Sequence, residues 1–446
     1  MKKRLFEIWF SLCCGVGNRE FPQLLERFGT PYDLYEADES TIESLPCSHR
    51  LKERLAEKSL DRAKEILDYC LKNNVGILFW QDEDYPASLR PLQDPPVLLY
   101  YKGILPDLSK RLCIGVVGTR RMSEYGKRMA YKLGYELAAS GAVVVSGMAL
   151  GVDGVAAAAA ILAGGTTLAV LGCGLHEPYP REHLPLFDKI IEHGAVLSEF
   201  PPETPPNRWQ FPARNRIISG LSQGTVVVEG NLRSGSLITA RDAIMQGRDI
   251  YAFPGNVGET NSAGTNKLIS DGATMILRAR DLLENYAFPY DDVLDLDALK
   301  HAEARSEINE VGLEALGVCA RTEKSETNEA SASSKAPAPP KAPAPSKAPA
   351  PSKAPAPPKA PAPSKTPAPS KASKSVPAHG DNSERILKSL SETQRRIFEL
   401  LPLDHAVAID YLTRQGYTVG EVLAAMTVLE MKGLTATLPG SLFSRK

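Results

Sequence analysis

Six short apolar runs limit what this chain can fold into, at 113–118, 142–147, 167–172, 195–199, 225–230 and 249–255. Stretches with helical spacing separate them. Because each run is apolar throughout rather than alternating with polar residues, both faces of each strand are expected to be buried, as in a parallel sheet covered by helices on both sides. The sequence therefore predicts an α/β fold with a doubly wound, Rossmann-like parallel sheet.

A repeat of KAPAPP or KAPAPS marks the clearest boundary, with a lysine at every sixth position from Lys335 to Lys371. Because alternating Ala and Pro removes backbone donors and fixes φ, this stretch is expected to be an extended spacer, about 3.1 Å per residue. Contact with DNA phosphates or an SH3-like partner is the alternative. We predict a helical domain at 1–74, the Rossmann-like domain at 75–285, a disordered linker at 286–384 and a winged helix at 385–446.

The first segment has helical spacing, and 51–71 is expected to form one long helix. Its first turn, Gly-Val-Gly-Asn at 15–18, resembles the hairpin of helix-hairpin-helix modules, in which backbone amides approach a DNA phosphate. A plain connection between two helices is the other interpretation, and the sequence leaves both open.

The last segment has the layout of a winged helix, with helical stretches followed by two short strands that turn at 439–440. Ser391 and Gln394 give a capping-box signal for its first helix, and 418–421 give another. The helix face predicted to point outward is acidic or neutral: Glu421, Ala424, Ala425, Thr427 and Glu430. Because such a face does not neutralise phosphates, contact with a protein is at least as good an explanation as DNA reading.

Charge and cysteine usage narrow the partners further. The formal net charge is −1, so a polyanion would have to be held by a local cluster of Lys and Arg. No apolar run approaches the roughly 20 residues of a membrane span, so a cytoplasmic protein without a membrane partner is expected. The seven cysteines form no CxxC pair and the histidines are scattered, so neither a metal site nor a cofactor is predicted.

Ligands of open α/β sheets bind at the carboxyl ends of the strands. After the first predicted strand, a loop that opens a helix places amides, hydroxyls and guanidiniums where a phosphate is favoured; its candidate residues are Gly118, Thr119, Arg120, Arg121 and Ser123. Gly147 follows the second strand, where a glycine allows either a tight turn or the close approach of a ligand to the backbone. The spacing matches neither G-x-G-x-x-G nor the P-loop, so no nucleotide cofactor is indicated.

The segment 208–216 is the most informative, because three arginines and two aromatic residues lie within nine positions without an acidic residue. Aromatic faces beside cations are typical of proteins that hold single strands, although buried ion pairs are a competing explanation. We therefore predict DNA contacts from Arg208, Phe211, Arg214, Asn215 and Arg216. A second phosphate nest is predicted at Ser234, Gly235 and Ser236, and further contacts at Asn266 and Lys267.

Catalysis is not expected from these residues. The predicted sheet domain holds no Cys or Ser that its sequence context pairs with a base, and its carboxylates Asp153, Glu199 and Glu229 are isolated from one another. The prediction is a binding protein rather than an enzyme.

Several motifs together resemble the DNA-processing protein A family, DprA, also called Smf. They are V-G-T-R-R-x-S-x-Y-G at 117–126, S-G-M-A-x-G-V-D at 146–153, F-P-x-R-N-R-I-I-S-G-L-S at 211–222, S-G-S-L-I-T-A at 234–240, G-R-D-I-Y-A-F-P-G at 247–255 and N-K-L-I-S-D-G-A at 266–273. The likeness is strongest over about 75–280.

The resemblance implies a homodimer that binds single-stranded DNA, protects incoming strands during natural transformation and helps to load a RecA-type recombinase. By position, Arg120 is similar to the family's phosphate-holding arginine, Arg208 to its basic contact and Phe211 to its stacking ring. Three residues depart from the family pattern: Leu150 stands where Arg is frequent, Ala157 where His is frequent and Glu203 where Gly is common.

Two other functions remain open from the sequence. The same sheet type occurs in nucleoside monophosphate phosphoribohydrolases, but this chain lacks their P-G-G-x-G-T loop. A scaffold that recruits proteins through its winged helix is the third hypothesis.

Overall fold

The computed structural model describes residues 2–318, 391–401 and parts of 407–445, in two separate units. Six helices open the first unit: α1 Lys2–Cys14, α2 Phe21–Phe28, α3 Pro31–Glu36, α4 Glu39–Glu43, α5 His49–Glu57 and α6 Asp61–Lys72. They form around apolar faces such as that of α1, which buries Ile8, Trp9 and Phe10. The predicted single helix over 51–71 is wrong, because Lys58 adopts the left-handed conformation at φ 45° and ends α5.

The turn at 15–18 joins α1 to α2. The side chain of Asn18 accepts hydrogen bonds from the amides of Glu20 and Phe21, at 2.8 and 2.9 Å, and so holds the start of α2. The turn thus caps the helix that follows it, which fits its interpretation as a connector.

The main sheet has nine strands: β1 Gly76–Phe79, β2 Leu98–Gly103, β3 Cys113–Val117, β4 Val143–Ser146, β5 Thr167–Val170, β6 Gly194–Ser198, β7 Gly224–Val227, β8 Asp249–Ala252 and β9 Thr274–Met275. Their order is β1-β2-β6-β5-β4-β3-β7-β8-β9, and β3 to β9 pair in parallel while β1 and β2 are antiparallel. All six predicted strands are confirmed. The strands β4, β5 and β6 lie on one side of β3, and β7, β8 and β9 lie on the other. Parallel sheets bind ligands at the carboxyl ends of the two strands between which the strand order switches in this way, here β3 and β7.

Helices cover both faces of the sheet: α7 Glu124–Ala139, α8 Val152–Leu162, α9 Leu184–His193, α10 Gln210–Leu221, α11 Ser236–Met245, α12 Ala263–Ser270 and α13 Ala279–Leu283. Alternate residues of β3 enter two apolar clusters. Ile114 lies in the cluster that includes residues of α7 and α8, and Val117 lies in the one that includes residues of α10 and α11. The prediction of a sheet buried on both faces is confirmed.

Folded structure continues past residue 286, where the linker was predicted to start. Helices α14 Leu296–Glu303 and α15 Glu310–Ala315 pack against α7 and α8. Leu299 and Leu313 are fully buried there, and Glu310 accepts from the nearly buried ammonium of Lys127 at 2.6 Å. These scattered apolar residues hold the segment to the domain as far as Val318. The Lys-Ala-Pro repeats lie outside the described residues.

The second unit contains α16 Glu392–Leu400 and a three-stranded antiparallel sheet of β10 Val407–Ala408, β11 Thr435–Leu438 and β12 Leu442–Arg445. The capping box of Ser391 and Gln394 is confirmed, whereas 418–421 lies outside the described residues.

The outward face predicted for the winged helix needs one correction. Ala425 is buried, because it continues the apolar spacing of Val422, Met426 and Leu429 into the core of this unit. Glu430 is exposed as predicted. Across the described parts of both units, no helix is both long enough and apolar enough to cross a membrane.

Candidate nucleic-acid interface

A cleft of 850 Å³ opens where β3, β7 and the first turn of α10 meet, and we call it the central cleft. It brings together most of the predicted site residues. Those that line it are Gly118, Thr119, Arg120, Arg121, Arg208, Phe211, Arg214, Asn215, Ser234, Gly235 and Ser236. The sequence did not single out Tyr179 or Arg233 as site residues, and both also line this cleft.

The loop after β3 is held rigidly beneath the cleft. The amide of Thr119 donates to the Glu229 carbonyl oxygen at 2.8 Å, and the hydroxyl of Thr119 accepts from the Arg121 amide at 3.2 Å. A Cβ at Gly118 would lie 2.6 Å from the Val152 side chain, so the backbone packs directly against α8. This anchoring leaves the side chain of Arg120 exposed at the rim.

Arg120 and Phe211 come from different loops and meet in the cleft. The guanidinium carbon of Arg120 lies 5.1 Å from the centre of the Phe211 ring, and the Tyr179 ring lies 5.6 Å from the same ring at 57°. Contacts of the first kind contribute about 0.5–2 kcal/mol. They fix a cation beside an aromatic face, the combination that holds a phosphate and a base at once.

Arg208, which lines the cleft, and Trp209 directly precede α10. Arg208 is exposed, and Trp209 keeps 55% of its surface accessible while one edge packs against Phe200, with ring centres 5.7 Å apart. Arg233 is also exposed on the opposite wall, where the Asn231 side chain accepts from its amide at 2.8 Å. The cleft therefore carries positive charge on both walls.

Arg214 is buried at the floor of the cleft, with 4% of its surface exposed. It donates to the Gly147 carbonyl oxygen at 3.0 Å and to that of Val170, so it ties together the ends of β4 and β5. Burial lowers the pKa of its guanidinium to about 10, which still leaves it protonated at neutral pH. A Cβ at Gly147 would lie 2.5 Å from this guanidinium, so Gly147 makes room for Arg214.

Asp153 opens α8 beside this arginine and accepts from the Gly147 amide at 2.9 Å. Burial raises the pKa of the Asp153 carboxyl, while the positive charge of Arg214 opposes that shift. The structure therefore places Arg214 and Asp153 as a buried pair of charges that shapes the loops.

Arg216 lies on the other side of α10, away from the central cleft. Its guanidinium forms ion pairs with Glu199 at 2.8 Å and Asp94 at 3.2 Å. The ion-pair explanation that the sequence left open thus describes Arg216. Asn215 lies half-buried in the cleft wall, where its side-chain oxygen accepts from Arg214 at 3.3 Å.

Besides Gly147 and Arg216, three more predicted site residues do not line the central cleft. Ser123 caps α7 and donates its hydroxyl to Glu229 at 2.6 Å. The Asn266 side chain bonds the backbone of Gly255 in both directions, and Lys267 pairs with Asp271 one helical turn away. In the second predicted nest, the hydroxyls of Ser234 and Ser236 lie 2.8 Å apart at the start of α11 and do line the cleft.

Among the residues that the structure describes, no group of three or more His, Cys, Asp or Glu side chains could hold a metal ion. The cleft is thus built from guanidiniums, hydroxyls and rings. Its chemistry suits a phosphate-bearing ligand with flat bases.

Comparison with known proteins agrees with this chemistry. The model of the family described as DNA recombination-mediator protein A matches residues 76–287, and that of the DprA winged helix domain matches 381–441. DNA processing protein DprA of Bacillus subtilis is 48% identical over 228 residues, which are 51% of this chain and 77% of that protein. The chain belongs to the DprA family.

Two solved structures of DprA-family proteins are also similar. The X-ray structure of DNA processing protein A from Streptococcus pneumoniae is 34% identical, with a TM-score of 0.56, and the match covers 63% of this chain and 97% of that one. A structure describing the single-stranded DNA binding mode of DNA processing protein A from Helicobacter pylori is 33% identical and covers 48% of this chain and 97% of that one, with a TM-score of 0.45.

The three departures from the DprA pattern have distinct surroundings. Leu150 is half-buried in the loop between β4 and α8, and Ala157 is fully buried within α8. Glu203 pairs with Arg62 of α6 at 2.9 Å, so it links the loop before α10 to the helical segment.

Proposed function

We propose that the central cleft binds single-stranded DNA without catalysing a reaction. The observation that carries this proposal is the contact between Arg120 and Phe211, which sets a cation and an aromatic face side by side in an open cleft. One nucleotide offers a phosphate to the first group and a base to the second. Stacking of this kind contributes about 1–3 kcal/mol per base and tolerates any sequence.

A single strand suits this site better than a duplex. Phe211 sits half-buried in the wall, so a base must leave its stack to reach the ring. Paired bases are already stacked on their neighbours, and extruding one costs a few kcal/mol. The site therefore favours strands whose bases are free to turn.

Membership of a family described as DNA recombination mediators supports a proposal for the role in the cell. We propose that the chain acts in the cytoplasm as a homodimer, protects incoming strands during natural transformation and assists loading of a RecA-type recombinase. Sedimentation at several protein concentrations tests the dimer, and co-sedimentation with a RecA-type recombinase tests the partner.

The carboxylates of the sheet support a binding role. A nucleotide hydrolase would need one of them to act on a substrate, yet each already has a partner within the fold. Asp153 accepts from the Gly147 amide, Glu199 from Arg216, and Glu229 from Ser123. Incubation with nucleoside monophosphates is expected to release no base, and release at ordinary enzymatic turnover would overturn this part of the proposal.

Filter binding with single- and double-stranded forms of one oligonucleotide, at two salt concentrations, tests the main proposal. We expect tighter binding of the single strand at both salts, with affinity that falls as salt rises because counterions are released. Equal affinity for the two forms would contradict the stacking site.

A further inference from the structure

A second, smaller cavity lies on the far side of the first turn of α10, and we call it the arginine pocket. It measures 450 Å³ and shares Pro212 and Ile238 with the central cleft, so the two are continuous around the start of α10. Its walls come from the helical segment, the connection between β1 and β2, and the helices α10 and α11. Four arginines line it: Arg19, Arg216, Arg241 and Arg248.

A third cavity borders the central cleft on its other side and has the opposite charge. This acidic cavity shares Thr260 and Asn261 with the central cleft and is lined by Glu124, Glu229, Glu259 and a single arginine, Arg128. Three carboxylates thus face one guanidinium there, whereas four guanidiniums face Asp94 and Asp242 in the arginine pocket. This difference in charge favours a path in which a bound polyanion extends from the central cleft into the arginine pocket rather than into the acidic cavity.

The four arginines of this pocket divide into two kinds. Arg216 is ion-paired with Glu199 and Asp94, and Arg248 donates to the carbonyl oxygens of Ser88 and Gly220 at 2.9 and 3.1 Å. These two shape the wall.

Arg19 and Arg241 are exposed, and neither guanidinium forms a hydrogen bond or ion pair with another described residue. They are therefore free to meet a ligand. Asp242 is the carboxyl next to Arg241; burial raises its pKa, and the positive charge of Arg241 opposes that shift.

We propose that the arginine pocket is a second anion site, in which Arg19 and Arg241 hold a backbone phosphodiester of the strand whose base stacks on Phe211. The inference rests on the proposed function, because the strand is the same one. It gives the helical segment a direct role: Arg19 follows the turn at 15–18, so DNA binding spans both parts of the first unit. It also defines the path of the DNA strand, which runs from the central cleft past α10 and away from the acidic cavity.

Oligothymidylates of two lengths test the proposal on the full chain. One of about four nucleotides fills the central cleft alone, and one of about twelve extends beyond it. The double substitution Arg19→Ala, Arg241→Ala is expected to weaken binding of the long oligonucleotide by about tenfold. It is expected to leave the short one unchanged. The salt slope for the long one should fall by about 0.7, the value for one lost phosphate contact on a single strand.

Two matched variants separate the loss of positive charge in the arginine pocket from the loss of any exposed arginine. Arg19→Lys with Arg241→Lys keeps both charges and is expected to retain most of the affinity. Arg128→Ala removes another exposed arginine, from the acidic cavity, and is expected to leave binding of both oligonucleotides unchanged. If Arg128→Ala weakens the long oligonucleotide and the double alanine variant does not, the strand leaves by the other side and the proposal is wrong.

Failure of this inference is distinct from failure of the proposed function. Arg120→Ala is expected to weaken both oligonucleotides. If it does so while the double alanine variant binds both normally, only the second site is refuted. If none of these variants alters binding of either oligonucleotide, the central cleft itself is not the DNA site.

Discussion

Arg120 and Phe211 are 91 positions apart in the sequence, yet the guanidinium carbon of one lies 5.1 Å from the ring centre of the other. The loop after β3 supplies the cation and the first turn of α10 supplies the ring. Each group limits the motion of the other, so both are ordered before a strand arrives. Preorganisation of this kind lowers the entropic cost of binding.

The first prediction separates the two halves of this contact. Phe211→Ala should weaken binding of an oligothymidylate about 5- to 150-fold, the equivalent of about 1–3 kcal/mol of lost stacking, without changing the salt slope. Arg120→Ala should weaken binding and lower the slope by about 0.7, because one phosphate contact is lost. Fluorescence anisotropy at several salt concentrations measures both.

The double variant adds a control, since residues in contact are not independent. Arg120→Ala with Phe211→Ala should cost less than the sum of the two single changes. Strictly additive losses would show that neither group orders the other before the strand binds.

The second prediction contrasts a buried and an exposed arginine of one segment. Arg214→Met should lower the free energy of unfolding by about 3 kcal/mol or more, because two hydrogen bonds from a charged donor are lost. Arg208→Met should change it by less than about 0.5 kcal/mol and yet weaken DNA binding. Urea unfolding of both variants, beside anisotropy, checks this; an Arg214→Met chain of normal stability would contradict a structural role.

Sequence spacing could not separate these arginines. The segment 208–216 holds no acidic residue, which favoured DNA contacts for all three, but the partners of Arg216 come from remote positions, Glu199 and Asp94. Arg214 and Arg216 lie within α10 and are buried, whereas Arg208 precedes the helix and stays exposed. Arg233 was not predicted as a site residue, because only the fold places it opposite Arg208 in the cleft.

The sheet was predictable where burial on both faces left uniform apolar runs, as in β3 and β4. The strands β1, β2 and β9 were not predicted, because their place depends on distant pairing. Tyr100 of β2, for example, pairs with Ser198 of β6, almost a hundred residues later. The break between α5 and α6 also escaped the helical pattern, since Lys58 carries none of the usual signals of a left-handed residue.

The third prediction compares two glycines of the cleft loops. Gly151 has φ 82°, and a Cβ there would overlap the Thr119 carbonyl oxygen, so Gly151→Ala should lower the free energy of unfolding by about 1–2 kcal/mol or more. Gly235 has φ −61° with open space around it, so Gly235→Ala should raise that free energy by about 0.4–1 kcal/mol. Opposite signs in urea unfolding are the expected result, and equal losses would contradict it.

The fourth prediction concerns pH. His183 is buried against Gly154, and its Nδ1 donates to the Met148 carbonyl oxygen at 3.0 Å. Burial lowers the pKa of His183 below its ordinary value of 6.5. The unfolded chain therefore takes up the proton first, so this contribution to stability is complete above about pH 6.5 and is lost as pH falls toward the folded pKa.

His183→Gln isolates that contribution. The free energy of unfolding, measured from about pH 7.5 to about pH 5.5, should fall less steeply in the variant than in the parent chain. Parallel curves would show that other groups cause the decline.

The last prediction addresses the winged helix. Its residues form an apolar cluster of their own, which includes Ile397, Leu412, Val422 and Phe443. Since the proposed strand contacts all lie in the first unit, a chain ending at residue 384 should bind single-stranded oligonucleotides with unchanged affinity and salt slope. Recombinase loading by the shortened chain, measured separately, should fall if this unit contacts a protein. A shallower salt slope would instead assign phosphate contacts to the winged helix and restore it as a DNA-binding unit.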